Sequence, residues 1–162
     1  MKKVIFVRHG KSSWNDPYLS DDQRPLKKRG RIDGMTIANI LKEENLAIEK
    51  IFTSHAVRAK ETAIIFKDLL NISEFSKHKE LYHAGELEIL RFLNKVDNDL
   101  NLIMLFGHNP SYTGLMNYFS DARVVNVPTT GTFQINFDTD RWDKISVENG
   151  KLYNHWFPKD YR

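Results

Sequence analysis

The sequence predicts an α/β protein with a mainly parallel central sheet, helices on both of its faces and antiparallel strands at the C-terminal end. Three observations carry that expectation. Short apolar, β-branched runs alternate with longer stretches whose apolar residues recur at helical spacing. Residues 101–106 (Asn-Leu-Ile-Met-Leu-Phe) form a nearly continuous apolar run, as in a strand buried on both faces. Near the end, Glu148-Asn149-Gly150 lies between two strand-like runs, and Asn-Gly is a strong hairpin signal.

The elements follow in order. The first strand begins at Lys3, runs through Val4-Ile5-Phe6-Val7 and stops in Arg8-His9-Gly10. A polar loop extends to about Arg24, with turn chemistry at Asp16-Pro17 and Ser20-Asp21-Asp22. Its length suggests function, and Trp14 and Tyr18 are expected to pin it to the body. Pro25 and Leu26 lead into a helix running to about Asn45. Its apolar stripe is Ile32, Met35, Ile37, Ala38, Ile40 and Leu41, interrupted by Gly30 and Gly34. Residues 48–53 read as the second strand, and Ser54 or Thr53 as the N-cap of a helix over 55–70 that buries Ala59, Ala63, Ile64, Phe66 and Leu69 or Leu70. A short strand at 77–81 precedes a helix at 86–96 with Leu87, Leu90, Phe92 and Leu93 inward. After the apolar strand, Pro110 suits the first turn of a helix over 111–119. Residues 132–137 form a strand, and 145–147 with 152–156 a hairpin. No repeat or linker interrupts the pattern, so residues 1–162 read as one domain.

Composition narrows the function. There is no cysteine, which excludes disulfides, thiolate metal sites and a cysteine-nucleophile phosphatase. No run approaches membrane-span length, and the first residues lack a signal-peptide pattern; a cytoplasmic location is the expectation. The net charge of +3 suits an anionic substrate but is too small and dispersed for nucleic acid. The one dense basic run, Lys27-Lys28-Arg29-Gly30-Arg31, reads as a solvated helix start. No extra apolar element is evident, so a monomer is expected.

Three parallel-strand ends carry unusual polar residues: Arg8 and His9 at the first, Ser54 and then Arg58 at the second, His108 at the fourth. The carboxyl ends of parallel strands lie on one side of a sheet, so these groups can converge on one crevice. Arg58 in the first turn of a helix opposes the macrodipole, which favours an anion-binding role over a structural one. Two histidines can hold a metal, but neighbouring guanidiniums repel a cation and suit a phosphoryl dianion. One imidazole can attack phosphorus, and the other, protonated, can donate to a phosphoryl oxygen. Ser12 reads as a phosphate ligand or a turn cap, and Arg24 equally as a phosphate ligand or an ordinary loop arginine. Thr129-Thr130-Gly131 fits a pocket edge or a turn. His55, His78, His83 and His155 have no supporting pattern.

These motifs resemble the histidine phosphatase superfamily, the phosphoglycerate-mutase-like fold. Arg8-His9-Gly10 is similar to its signature, and Ser12, Trp14 and Asn15 keep the spacing of the mutase branch, which usually has glutamate where this chain has Lys11. Ser54-His-Ala-Val-Arg58-Ala-Lys-Glu-Thr62 resembles the second signature and Gly107-His108-Asn109 the third. Asp22-Gln-Arg24-Pro25-Leu26 and the compact length resemble the SixA-type phosphohistidine phosphatases. The resemblance implies His9 as nucleophile, with a phosphohistidine intermediate. It implies Arg8, Arg58 and His108 around the phosphate, Asn15, Arg24 and Ser12 as further contacts, and no metal or other cofactor.

One part of the family pattern is missing. Mutases and many phosphatases of the superfamily carry a glutamate general acid after the third strand. Here Glu80, Glu86 and Glu88 stand in no acid motif and read as solvent-facing. An alkoxide leaving group needs a proton, whereas a phosphorylated histidine leaves readily once its ring is protonated. The expected substrate is therefore phosphohistidine in a protein. A phosphatase of small or lipid-linked monoesters is the alternative, with Glu80, Glu86, Glu88, Asp16, Asp21 or Asp22 as the acid. A silent module that binds phosphorylated ligands is the alternative of another class.

Overall fold

The computed structural model describes residues Met1–Arg162. Its strands are β1 (Lys2–Arg8), β2 (Lys50–Ser54), β3 (Phe75–His78), β4 (Leu102–Gly107), β5 (Thr132–Phe137) and β6 (Gly150–Trp156). Its helices are α1 (Lys28–Glu43), α2 (Val57–Leu70), α3 (Glu86–Asn94) and α4 (Ser111–Tyr118). One sheet holds all six strands in the order β3-β2-β4-β1-β5-β6. The pairs β2–β3, β2–β4 and β1–β4 are parallel, while β5 runs antiparallel to β1 and β6 antiparallel to β5. This is the α/β architecture with a mainly parallel sheet that the alternation of runs predicts.

Strand alternation divides the core in two. Val4 and Phe6 face Ile89 and Leu93 of α3 and Tyr112, Leu115 and Met116 of α4. Ile5 and Val7 face the other way, onto Ile37, Ala38 and Leu41 of α1 and Ala63 and Phe66 of α2. Because β1 is covered on both faces, its apolar run is uninterrupted until Arg8. No helix is long and apolar enough to cross a membrane.

Several boundaries and faces differ from the sequence reading. Residues 145–147 form no strand: Asn149 ties that segment into a loop by accepting from the Ser146 amide at 2.9 Å and donating to the Lys144 carbonyl at 2.9 Å. The antiparallel ending is instead β5 against β6, with Phe137 opposite Gly150. Gly150 serves packing rather than a two-residue turn, since a Cβ there would lie 2.6 Å from the Phe137 ring and 2.7 Å from that of Phe119. The third strand ends at His78, and residues Lys79–Leu81 wind into a 3-10 turn. Neither Thr53 nor Ser54 caps α2; Ala56 holds the N-cap position, and Ser54 Oγ accepts from its amide at 3.2 Å. Ile32, Met35, Ile64 and Leu87 are exposed, because each sits beyond the arc of its helix that the sheet covers. Tyr18 does not pin the first loop: it is 95% exposed.

Candidate active site

Hydrogen-bond register sets the centre of the site. Arg8 pairs with Gly107 across β1 and β4, and the His9 amide donates to the Gly107 carbonyl at 3.0 Å. The residues after both strand ends are histidines, and the register makes them neighbours: the His9 and His108 rings lie 5.2 Å apart. On the other flank, the Thr130 amide donates to the carbonyls of Arg8 and His9, each at 3.0 Å, with Thr130 in the left-handed region at φ 60°. A non-glycine residue held there marks a backbone that its surroundings constrain. The Thr129-Thr130-Gly131 turn thus holds the end of β1 as well as edging the cavity through Thr129.

Arg8, His9, Ser12, Arg24, Arg58 and His108 line one cavity of about 360 Å³. Of the seven site residues named from sequence, Asn15 alone is not among them; it is exposed on the loop. Lys11, Trp14 and Asn109, which sequence reasoning did not name as site residues, complete the lining together with Thr129 of the anticipated pocket edge. Trp14 is 72% exposed, yet its ring lies 3.3 Å from the Arg24 guanidinium carbon, a cation–π contact that sequence spacing does not reveal.

The basic groups are held by few partners. Arg8 donates to the Val127 carbonyl at 2.9 Å, while its Nε is buried without a partner. Burial, then the neighbouring Arg58, pulls its pKa below the ordinary value. Arg58 donates to the carbonyl and carboxylate of Asp21 at 2.6 and 3.0 Å. Arg24 donates to the other Asp21 carboxylate oxygen at 3.0 Å, to the Ser13 carbonyl at 3.1 Å and to Ser12 Oγ. Asp21 is therefore the shared counterion of two arginines. Three guanidiniums and Lys11 against one carboxylate leave an excess of positive charge in a partly desolvated cavity, which favours a dianion.

The two imidazoles are differently tied. His9 Nδ1 lies 2.7 Å from the Gly10 carbonyl oxygen. A carbonyl can only accept, so Nδ1 carries the proton and Nε2 keeps its lone pair. Burial pulls the His9 pKa down to about 3; the bond to Gly10 opposes this, and Arg58, Arg8 and Arg24 reinforce it. His108 Nε2 lies 2.9 Å from Ser54 Oγ, and its Nδ1 is buried with no partner. Burial, then His9 and Arg58, bring its pKa to about 2. The free site thus holds two neutral rings, where the sequence reading had one of them protonated. His108 does not need the extra proton: Ser54 Oγ accepts from the Ala56 amide, and the acceptor within reach of its own hydroxyl proton is Nε2, a pairing that makes Nδ1–H the donor of the ring.

A model of the histidine phosphatase superfamily (branch 1) matches residues 4–94, which include Arg8-His9-Gly10 and the Ser54 to Thr62 motif. The chain belongs to this superfamily. Among curated relatives, a 2,3-bisphosphoglycerate-dependent phosphoglycerate mutase of Gloeothece citriformis is 43% identical over 67 residues, 40% of this chain and 29% of that protein. An uncharacterised chloroplastic protein of Arabidopsis thaliana is 27% identical over 133 residues, 76% of this chain and 61% of the relative. The chain spans less than two thirds of the length of either relative. Among solved structures, the protein histidine phosphatase SixA complexed with tungstate superposes with a TM-score of 0.82, at 22% identity and 99% coverage of both chains. A mycobacterial glucosyl-3-phosphoglycerate phosphatase superposes with a TM-score of 0.62, at 13% identity, covering 93% of this chain and 96% of that one. The fold is that of the phosphoglycerate-mutase-like proteins.

The superfamily's glutamate acid has no counterpart in this cavity. Glu80 and Glu88 line a separate cavity of about 510 Å³ around His78, which shares no residue with the first. Glu88 accepts from the Gly85 amide at 3.1 Å and so caps α3, and Glu80 lies 3.1 Å from His78 Nδ1. Glu86 packs against Gly114 of α4. Asp22 pairs with His55 at 3.2 Å.

Proposed function

We propose that this protein is a metal-independent phosphatase that takes a phosphoryl group onto His9 and passes it to water, with phosphohistidine in a protein as the substrate. The observation that carries the reading is His9 itself. Its Nδ1 is engaged by the Gly10 carbonyl, and its Nε2 lone pair belongs to a cavity lined by Arg8, Arg24 and Arg58. Attack on phosphorus needs a neutral imidazole and neutralised phosphoryl oxygens together, and this arrangement supplies both.

In the first step the Nε2 lone pair forms a bond to phosphorus while the bond to the leaving group breaks in line. The three arginines meet the charge on the equatorial oxygens, and His108 Nδ1–H donates to one of them. The positive charge that His9 gains is held by the Nδ1–H bond to Gly10. In the second step water displaces His9 from phosphorus, and the same arginines stabilise the same distribution of charge. The chain has no group of three His, Cys, Asp or Glu side chains placed to hold a metal ion, so the arginines are the electrophiles this site offers.

The substrate assignment rests on the leaving group. Of the candidate acids, Glu80 and Glu88 line the other cavity, Glu86 lies against α4, Asp22 is paired with His55, Asp16 is exposed, and Asp21 is held as a carboxylate, well below the usual range, by hydrogen bonds from Tyr82, Arg58 and Arg24. A site without an acid penalises alkoxide departure and tolerates a leaving group that arrives protonated. The SixA structure with the same fold is of a protein histidine phosphatase, which agrees with this reading.

The test is phosphate release, in the presence of chelator, from a phosphohistidine-bearing protein and from a panel of phosphomonoesters, with His9→Ala as control. Faster turnover of phosphohistidine, abolished in His9→Ala, is the expected result. Turnover mainly of one monoester overturns the substrate assignment. Undiminished activity in His9→Ala overturns the nucleophile, and phosphate binding without turnover identifies a silent binding module.

A further inference from the structure

A second cavity, of about 280 Å³, opens beside the phosphate cavity and shares Arg58, His108 and Asn109 with it. Its remaining wall carries Asp21, Tyr82 and His83. The volume is below the range of about 300–1,000 Å³ typical of pockets for drug-sized ligands, and suits a side-chain ring. Arg58 and His108 line both spaces while His9 lines only the first, so in-line attack by His9 on a phosphoryl group held between them would turn the leaving group toward the Asp21 side.

Asp21 is the only carboxylate on that wall, and it is bound in an unusual way. Arg24 donates to Oδ1, while Arg58 and the Tyr82 hydroxyl donate to Oδ2. The side chain is still 48% exposed, so Oδ1 keeps acceptor capacity. Tyr82 is fixed by its neighbours, edge-on to His108 at 5.4 Å and to His55 at 5.0 Å. The hydrogen bond from Tyr82, followed by those from Arg58 and Arg24, holds the Asp21 carboxyl well below the usual carboxylate range despite its partial burial. A carboxylate held in this way has no proton to give an alkoxide, but it accepts hydrogen bonds.

We propose that Asp21 determines specificity by accepting the N–H of the leaving imidazole of phosphohistidine, so that the site selects phosphorus–nitrogen over phosphorus–oxygen bonds. The inference rests on the phosphohistidine reading above and adds the residue that recognises the departing ring. The step balances without an acid. The substrate ring enters with phosphorus on one nitrogen and a proton on the other, facing Asp21. His9 Nε2 forms its bond to phosphorus, the phosphorus–nitrogen pair returns to the substrate ring, and the ring leaves as neutral imidazole with its proton still on the far nitrogen. The carboxylate favours the protonated ring over the unprotonated one, which is the form that departs. Tyr82 is a positioning residue that fixes Oδ2 by donating to it.

The experiment compares wild type, Asp21→Asn and Tyr82→Phe on N-phosphohistidine and on p-nitrophenyl phosphate, whose leaving group needs no acid. Competition by inorganic phosphate reports whether the arginines remain in place. Asp21→Asn is expected to lower the ratio of kcat/KM for N-phosphohistidine to that for p-nitrophenyl phosphate by about tenfold or more, while any loss common to both substrates, and any change in the phosphate inhibition constant, reports what the two arginines lose with their counterion. Tyr82→Phe should show a smaller selective loss. For N-phosphohistidine, the alkaline fall in kcat/KM should begin at lower pH in Asp21→Asn than in wild type. Equal losses on both substrates would reduce Asp21 to a holder of Arg58 and overturn this proposal alone. If wild type itself fails on N-phosphohistidine while hydrolysing p-nitrophenyl phosphate, the phosphohistidine reading falls, and this inference with it.

Discussion

The Gly10 amide donates to Thr62 Oγ1 at 2.9 Å, and the same hydroxyl donates to the Arg58 carbonyl at 2.7 Å. One threonine thereby joins the backbone after the proposed nucleophile to the helix turn that carries Arg58. This explains why a threonine stands four residues after Arg58, on the face of α2 turned toward β1. Thr62→Val keeps the volume and removes both bonds. The buried Gly10 amide then lacks an acceptor, and the expected cost is about 1–3 kcal/mol of stability in a denaturant titration. Phosphate release should fall by about tenfold or more as His9 and Arg58 lose their fixed spacing.

Ser54 plays a comparable part for His108. Its Oγ faces Nε2 at 2.9 Å, which keeps the proton of the ring on Nδ1. In Ser54→Ala the ring is free to take the other tautomer, which has no donor at Nδ1. The expected change is a drop in kcat of about ten- to a hundredfold, with inorganic phosphate inhibition moving much less. An unchanged kcat would show that His108 donates nothing in the transition state.

Acid should destabilise the fold through these same rings. His9 and His108 have folded pKa values of about 3 and about 2, below the ordinary 6.5. Between those values the unfolded chain binds more protons, so stability rises with pH. It is complete above about 6.5 and is lost as pH falls from there toward the folded values, at up to about 1.4 kcal/mol per pH unit for each ring. Unfolding midpoints measured from pH 4.5 to 7.5 should show this slope, and His9→Asn should be shallower. The ring protons of His9 and His108 should not titrate between pH 5 and 8 in an NMR series on the free protein.

The two glycines of α1 should respond in opposite ways to alanine. A Cβ at Gly30 would lie 2.5 Å from the Lys11 carbonyl oxygen and 3.0 Å from its amide nitrogen, where only backbone can yield. Gly30→Ala should cost about 1–3 kcal/mol and weaken phosphate binding by shifting the loop after His9. At Gly34 the nearest atom is the tip of Ile65, at 3.3 Å. Gly34→Ala should be neutral, or stabilising by up to about 1 kcal/mol through helix propensity. Thermal melts of the two variants decide the point.

Much of this architecture was legible along the chain. The strand runs and helical stripes follow the period of burial, which is a local property of sequence. The meeting of Arg8, His9, Arg58 and His108 could be anticipated as well, because parallel strands place their carboxyl ends on one side of a sheet. The departures came where neighbours decide the outcome. Asn149-Gly150 has the composition of a hairpin turn, but the rings of Phe119 and Phe137 claim the glycine. Met35 and Leu87 sit at helical spacing yet are exposed, since the width of the covered stripe depends on what packs against it. Asn15 keeps the spacing of a phosphate contact, but the loop carries it into solvent.

By itself, then, the sequence determined the order of the helices and of the parallel strands, the superfamily and the residue types of the candidate phosphate site, because periodicity and motif spacing are written residue by residue. Only the tertiary structure decided the protonation of the two histidines, since burial among arginines, the Gly10 carbonyl and the Ser54 hydroxyl set it. Only the tertiary structure joined Asp21 to Tyr82 across 61 residues of chain. Contacts of that kind depend on how two loops pack over the strand ends, and no local pattern encodes where they meet.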